Sequence, residues 1–108
     1  MANGDLRSEI DRAALPLVAL ALLASESAHG YALIQKLKSH GFARIQGGTL
    51  YPLLRRLEER GLVNHEWRQD DSGPGRKEFS ITNTGRAELA MAQDEWRRVA
   101  LLIEERTQ

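Results

Sequence analysis

The chain has 108 residues, 42% of them hydrophobic and 28% charged; this is the size of one ordinary domain with a single core, and it excludes a multi-domain enzyme, a disordered chain and a membrane protein. Cysteine is absent, which rules out a disulfide framework, a thiolate metal site and a thiol nucleophile and suits a reducing, cytoplasmic location. Lys plus Arg and Asp plus Glu both number 15, so net charge gives no argument for a nucleic-acid partner and any basic surface must be local.

The first predicted element is a helix from about Ser8 to Ala24, in which Leu15, Val18, Ala19 and Leu22 form an apolar face and Pro16 marks a kink or a late start. The apolar run from Ala13 to Ala24 is too short to span a bilayer, and the residues after it read into another helix rather than a secretory cleavage site. A second helix is expected from Gly30 to about His40, with Ser27 offering a cap, Tyr31, Ile34 and Leu37 on its inner side, and Gly41 suited to a left-handed stop. A third starts between Gly47 and Leu50 and stops at Gly61; Leu50, Leu53, Leu54 and Leu57 follow the i, i+3, i+4, i+7 pattern in full.

The period then changes to two. Residues from Leu62 to Arg68 and from Arg76 to Ile81 read as strands joined by a loop of turn formers, Gln69-Asp70-Asp71-Ser72-Gly73-Pro74-Gly75. Thr82 is a plausible N-cap for a last helix reaching Glu105, roughly 35 Å long at 1.5 Å per residue, which exceeds the width of so small a domain. The fold class is mainly α with a small two-stranded β wing: a winged helix-turn-helix carrying a long C-terminal dimerisation helix. Residues 1–108 form a single domain, with 1–82 as the winged helix-turn-helix and its N-terminal helix and 83–108 as the dimerisation helix.

Three segments carry chemistry. On the third helix Tyr51, Arg55, Arg56 and Glu59 lie opposite the leucines, with Thr49 at the N-terminal edge. Arginine takes phosphate or the guanine O6/N7 edge, threonine meets a phosphate or a thymine methyl, and Gly47 and Gly48 let the backbone approach a phosphate. On the helix alone a solvated amphipathic face explains the pattern equally well. The turn before Arg76 and Lys77 places two cations where a wing reaches a minor groove, diluted by Asp70 and Asp71; a plain polar hairpin is the simpler account. On the last helix Leu89, Ala92, Trp96, Val99 and Ile103 recur at spacings of 3, 4, 3 and 4, the period of a coiled-coil seam; the chain's own core can cover Leu89 and Ala92, but Trp96 to Ile103 lie beyond it and call for a second copy of the chain. Trp96 is read first as seam packing and second as a stacking surface for a flat aromatic ligand.

His29-Gly30-Tyr31, Gly48-Thr49-Leu50-Tyr51-Pro52-Leu53-Leu54-Arg55-Arg56-Leu57-Glu58, Gly61-Leu62-Val63 and the stretch from Gly73 to Thr82 stand in an order and spacing that resemble the PadR-type bacterial transcriptional regulators, in particular the short subgroup with a single C-terminal helix. The resemblance spans nearly the whole chain. It implies a homodimeric winged-helix repressor whose third helix enters the major groove of a pseudo-palindromic operator in double-stranded DNA. It places Tyr31, Thr49, Tyr51 and Arg55 near DNA and Arg76 and Lys77 on the wing. It also implies release by a small aromatic or drug-like effector, bound at the dimer interface where Trp96 lies. Two positions depart from the pattern: Ala28 stands at a usually larger apolar position and Phe79 where tyrosine is common.

Catalysis is not expected. His29, His40 and His65 show no metal-ligand spacing, and Glu58 and Glu59 sit beside Arg55 and Arg56 at helix-pairing distances. No cofactor is implied. The rival reading is a winged-helix module that binds a protein partner instead of DNA; the basic positions argue against it.

Overall fold

The computed structural model describes residues 5–69 and 73–106. The predicted loop residues Asp70, Asp71 and Ser72 lie outside this set. Helix α1 (Leu6–Ser25) is capped by Asp5, whose carboxylate accepts from the Ser8 N–H at 2.8 Å. That bond holds the Asp5 carboxyl below the usual carboxylate range. The helix runs unbroken through Pro16. Proline removes one backbone donor there, and burial of Leu15, Ala19, Leu20 and Leu23 offsets the loss.

A short strand β1 (Ala28–His29) precedes α2 (Gly30–Ser39). The cap of α2 is His29 rather than Ser27: its Nδ1 accepts from the Ala32 N–H at 3.2 Å. Leu33, Ile34 and Leu37 are buried as the apolar spacing requires, but Tyr31 is exposed, not turned inward. At about 100° per residue it stands on the flank of the helix, away from the Leu33–Leu37 line.

Helix α3 (Gly47–Glu59) buries all four of its leucines. Both α2 and α3 end in the same way. Gly41 (φ 101°) and Gly61 (φ 76°) take the left-handed conformation, and the following residue donates back into the helix, Phe42 N–H to Leu37 O at 3.0 Å and Leu62 N–H to Leu57 O at 2.9 Å. These are Schellman closures, each with an apolar pair across the turn.

Strands β2 (Val63–Arg68) and β3 (Arg76–Ile81) form the wing hairpin, with Val63 opposite Ile81 and Trp67 opposite Lys77. The sheet has three strands rather than two, in the order β1-β3-β2, because Ala28 and His29 pair with Phe79 and Glu78 on the free edge of β3. Helix α4 (Asn83–Arg106) starts where expected, Thr82 Oγ1 accepting from the Gly85 N–H at 2.9 Å. It packs its first half on α1 and ties to that helix by Arg86, which donates to Ala24 O at 3.4 Å.

The root of α4 is fastened to the end of α3. Thr82 donates through its backbone to Leu62 O at 3.0 Å and through its hydroxyl to Gly61 O at 2.6 Å. Gly85 lies so close that a β-carbon there would fall 2.7 Å from Ile81 Cγ1 and closer still to Leu62 O. The core is apolar throughout: among the described residues no buried side chain is polar or charged.

Candidate nucleic-acid interface

The leucine face of α3 fixes which side chains are left outside. Turning about 100° per residue, Tyr51, Arg55 and Glu58 fall on one flank of the outer surface, Thr49 and Arg56 on the other, and Gly48, Pro52 and Glu59 between them. Tyr51 is half-exposed, and Gly48 has open space around it while Gly47 lies under the Tyr51 ring. Of the two glycines expected to admit a phosphate, therefore, only Gly48 is uncovered.

The wing closes one flank. A groove of about 450 Å³ between α3 and β3 is lined by Tyr51, Arg55, Glu58, Glu59, Lys77 and Phe79. Glu58 is drawn to the wing side of this groove, where the His65 Nδ1–H donates to its carboxylate at 2.8 Å and the His65 ring tilts against Phe79, centroids 5.9 Å apart. The pair joins α3 to β2 and leaves Arg55 and Lys77 as the cations at the mouth. This groove brings together Tyr51, Arg55 and Lys77.

It does not include Arg76. Adjacent strand residues point to opposite faces, and Arg76 lines a second groove, of about 620 Å³, with His29, Lys36, Arg68 and Glu78. Two ion pairs partition the charge there, Lys36 with Glu26 at 2.5 Å and Arg68 with Glu78 at 2.9 Å. The Lys36 hydrogen bond, and then its charge, hold Glu26 below the usual carboxylate range. Thr49 faces yet another surface, shared with Arg7 and Arg12 of α1 and Arg44 of the turn before α3. Tyr31 stands exposed at the start of α2 beside Gly30, over which the Tyr51 ring lies.

Two further residues lie beside these side chains. Trp67, 66% exposed, is paired with Lys77 and therefore shares its face of the wing. Its alternation with His65 carried that signal. Arg44, in the turn before α3, lines the same groove as Thr49, and its basic charge just ahead of the third predicted helix was the available sign.

Along α4, Leu89 is buried and Ala92 half-buried, whereas Trp96, Val99 and Ile103 are 43%, 41% and 60% exposed. Trp96 lies in a largely apolar groove of about 680 Å³ between α1 and α4, with Val18, Leu22, Phe42 and Leu89. Among the described residues no group of three His, Asp or Glu could hold a metal ion, and no helix is long and apolar enough to cross a membrane.

Comparison with known proteins bears on the family and the fold. Residues 19–91 match the profile of the Transcriptional regulator PadR-like family. The chain is similar to Transcriptional regulator Rv3488 of Mycobacterium tuberculosis, 44% identical over 81 residues that cover 75% of this chain and 74% of that one. Among solved structures it resembles a PadR family transcriptional regulator from Eggerthella lenta (TM-score 0.85, 35% identity, 93% of this chain and 87% of that one). It also resembles a PadR-like transcriptional regulator from Bacillus cereus (TM-score 0.83, 29% identity, 93% and 97%). These relatives are regulators, not enzymes. With a profile match over most of its length and a 44% identical relative, the chain belongs to the PadR-like family of transcriptional regulators.

Proposed function

We propose that the chain is a cytoplasmic homodimeric repressor that binds a pseudo-palindromic operator, α3 of each protomer in a major groove and the wing against the neighbouring backbone. Residues 1–82 form the reading head and α4 the dimerisation helix. The observation that carries this reading is the α3–wing groove, where Tyr51, Arg55 and Lys77 come together. Thr49, Arg56, Tyr31 and Arg76 extend the contact on either side; Trp96, Val99 and Ile103, with half-buried Ala92, form the seam, whereas Leu89, expected there, is covered by the chain's own core. Release is assigned to a small aromatic or drug-like effector in the groove that holds Trp96; its apolar lining and exposed indole suit stacking.

The test is a salt titration of binding to DNA just upstream of the protein's own coding region, with unrelated DNA as competitor. Tight, competition-resistant binding whose log affinity falls linearly with log salt is expected. Binding no tighter than to the competitor, with a mild salt slope, supports the protein-partner reading instead. Two variants sharpen it. Arg55→Ala costs about 1–3 kcal/mol and relaxes preference at one base position, read by competition with single-base operator variants. Lys77→Ala weakens binding to all sequences alike and lowers the salt slope by about 1. An unchanged affinity removes either residue from the interface.

A further inference from the structure

Tyr51 is seated between two glycines. A β-carbon at Gly47, one helical turn before it, would touch the ring at 3.1 Å from Cδ2 and Cε2. One at Gly30, the first residue of α2, would fall 2.6 Å from Cζ and closer still to Oη and Cε1. No L side chain fits at position 30 while the ring stays where it is.

The backbone does not require a glycine at position 30. Among the described residues only Gly41 and Gly61 take positive φ, so Gly30 has a conformation open to alanine, and it opens a helix, where alanine is the better former. The atoms in the way are the far end of one side chain that is 48% exposed; they belong to no core leucine and to no backbone. Filling the space therefore displaces the ring tip and spares the fold. The sequence distance between the two residues, across the whole of α2 and the turn, hides this contact from any local pattern.

From this we infer that Gly30 is a positioning residue for DNA reading. Its missing side chain leaves room for the Tyr51 hydroxyl over the start of α2 and so sets where the ring tip is presented. The inference rests on the proposed role of Tyr51 at DNA, and it assigns to position 30 a share in operator choice that the packing of α2 alone does not need.

A double-mutant cycle separates the alternatives. The probe is a duplex selected by the unmodified protein from a random pool, and the four proteins are the unmodified chain, Gly30→Ala, Tyr51→Ala and the double variant. Gly30→Ala is expected to melt at or above the unmodified temperature while binding the duplex about tenfold more weakly per half-site, the size of one lost contact. Tyr51→Ala is expected to lose a similar factor. The double variant is expected to bind like Tyr51→Ala, since a β-carbon at position 30 has nothing left to displace.

Normal binding by Gly30→Ala overturns the proposal. So does a double variant weaker than Tyr51→Ala by the full Gly30→Ala factor, which would mean that position 30 acts without the ring. A melting temperature that falls in step with binding assigns Gly30 to packing and overturns it as well. Normal binding by Tyr51→Ala, by contrast, removes that residue from the interface, and failure of the unmodified chain to select any sequence removes DNA reading itself; the seat falls with either.

Discussion

Ile103→Asp leaves the chain folded, monomeric and unable to hold its operator above non-specific affinity. Ile103 is 60% exposed in the single chain, so a carboxylate there is solvated and the core does not register it. In a two-fold seam the same change appears twice, and each charge must be desolvated without a partner, at about 3 kcal/mol or more per protomer. Sedimentation across a concentration series reads the assembly directly. Operator binding should fall with it, because one reading head reaches one half-site only, and the residual affinity should approach the non-specific range of about 10⁻⁴–10⁻⁶ M. Val99→Asp, one helical turn earlier on the same face, is expected to behave alike. A dimer that survives both variants places the seam elsewhere.

Gly85→Ala has the largest expected effect on the fold itself. The new β-carbon meets the Leu62 carbonyl oxygen and Ile81, and a carbonyl in a closed turn cannot rotate away as a side chain can. The loss should be about 3 kcal/mol, or a melting temperature lower by roughly 10–20 °C. Gly48→Ala is the control, since nothing lies within contact distance of that site and alanine favours the helix. Its stability should hold or rise by up to about 1 kcal/mol. Thermal denaturation of the two variants side by side checks both statements, and equal melting temperatures would contradict the packing described at the root of α4.

The parts of the fold that the sequence declares are those with strong local periodicity or obligate backbone conformations. Leu50, Leu53, Leu54 and Leu57 announce α3 and its buried face; Gly41 and Gly61 announce left-handed stops; and the predicted bounds of β3, Arg76 to Ile81, are those observed. Strand β1 is different. Two residues have no pattern of their own, and Ala28 and His29 become a strand only because β3 offers them a free edge. Tyr31 is a second case. Helical spacing alone left it beside Ile34, and only the position of the core shows it to be on an exposed flank. The resemblance to a known family had already set it near DNA.

The candidate site was legible as a set of residues and less so as an arrangement. Tyr51, Arg55 and Lys77 converge on one groove, yet Arg76 and Lys77, neighbours in sequence, lie on opposite faces of the wing, as strand alternation demands. The engagement of Glu58 by His65 and the cover that Tyr51 gives Gly30 and Gly47 depend on how α2, α3 and the wing meet. Those meetings are set by packing between distant segments, to which a local pattern is blind.

The bonds of Thr82 to Gly61 and Leu62, with Gly85 pressed against the same turn, leave α4 without a soft joint at its root. In the proposed dimer the helix would then work as a stiff arm between the reading head and the seam. At 1.5 Å per residue the arm from Asn83 to Val99 is about 24 Å, so a rotation of about 8° between paired helices would carry the root through about 3 Å. That is close to the rise of one base pair, about 3.4 Å. If the proposed dimer binds two half-sites, a repacking too slight to separate the protomers would thereby be geared into a slip of one base step between them.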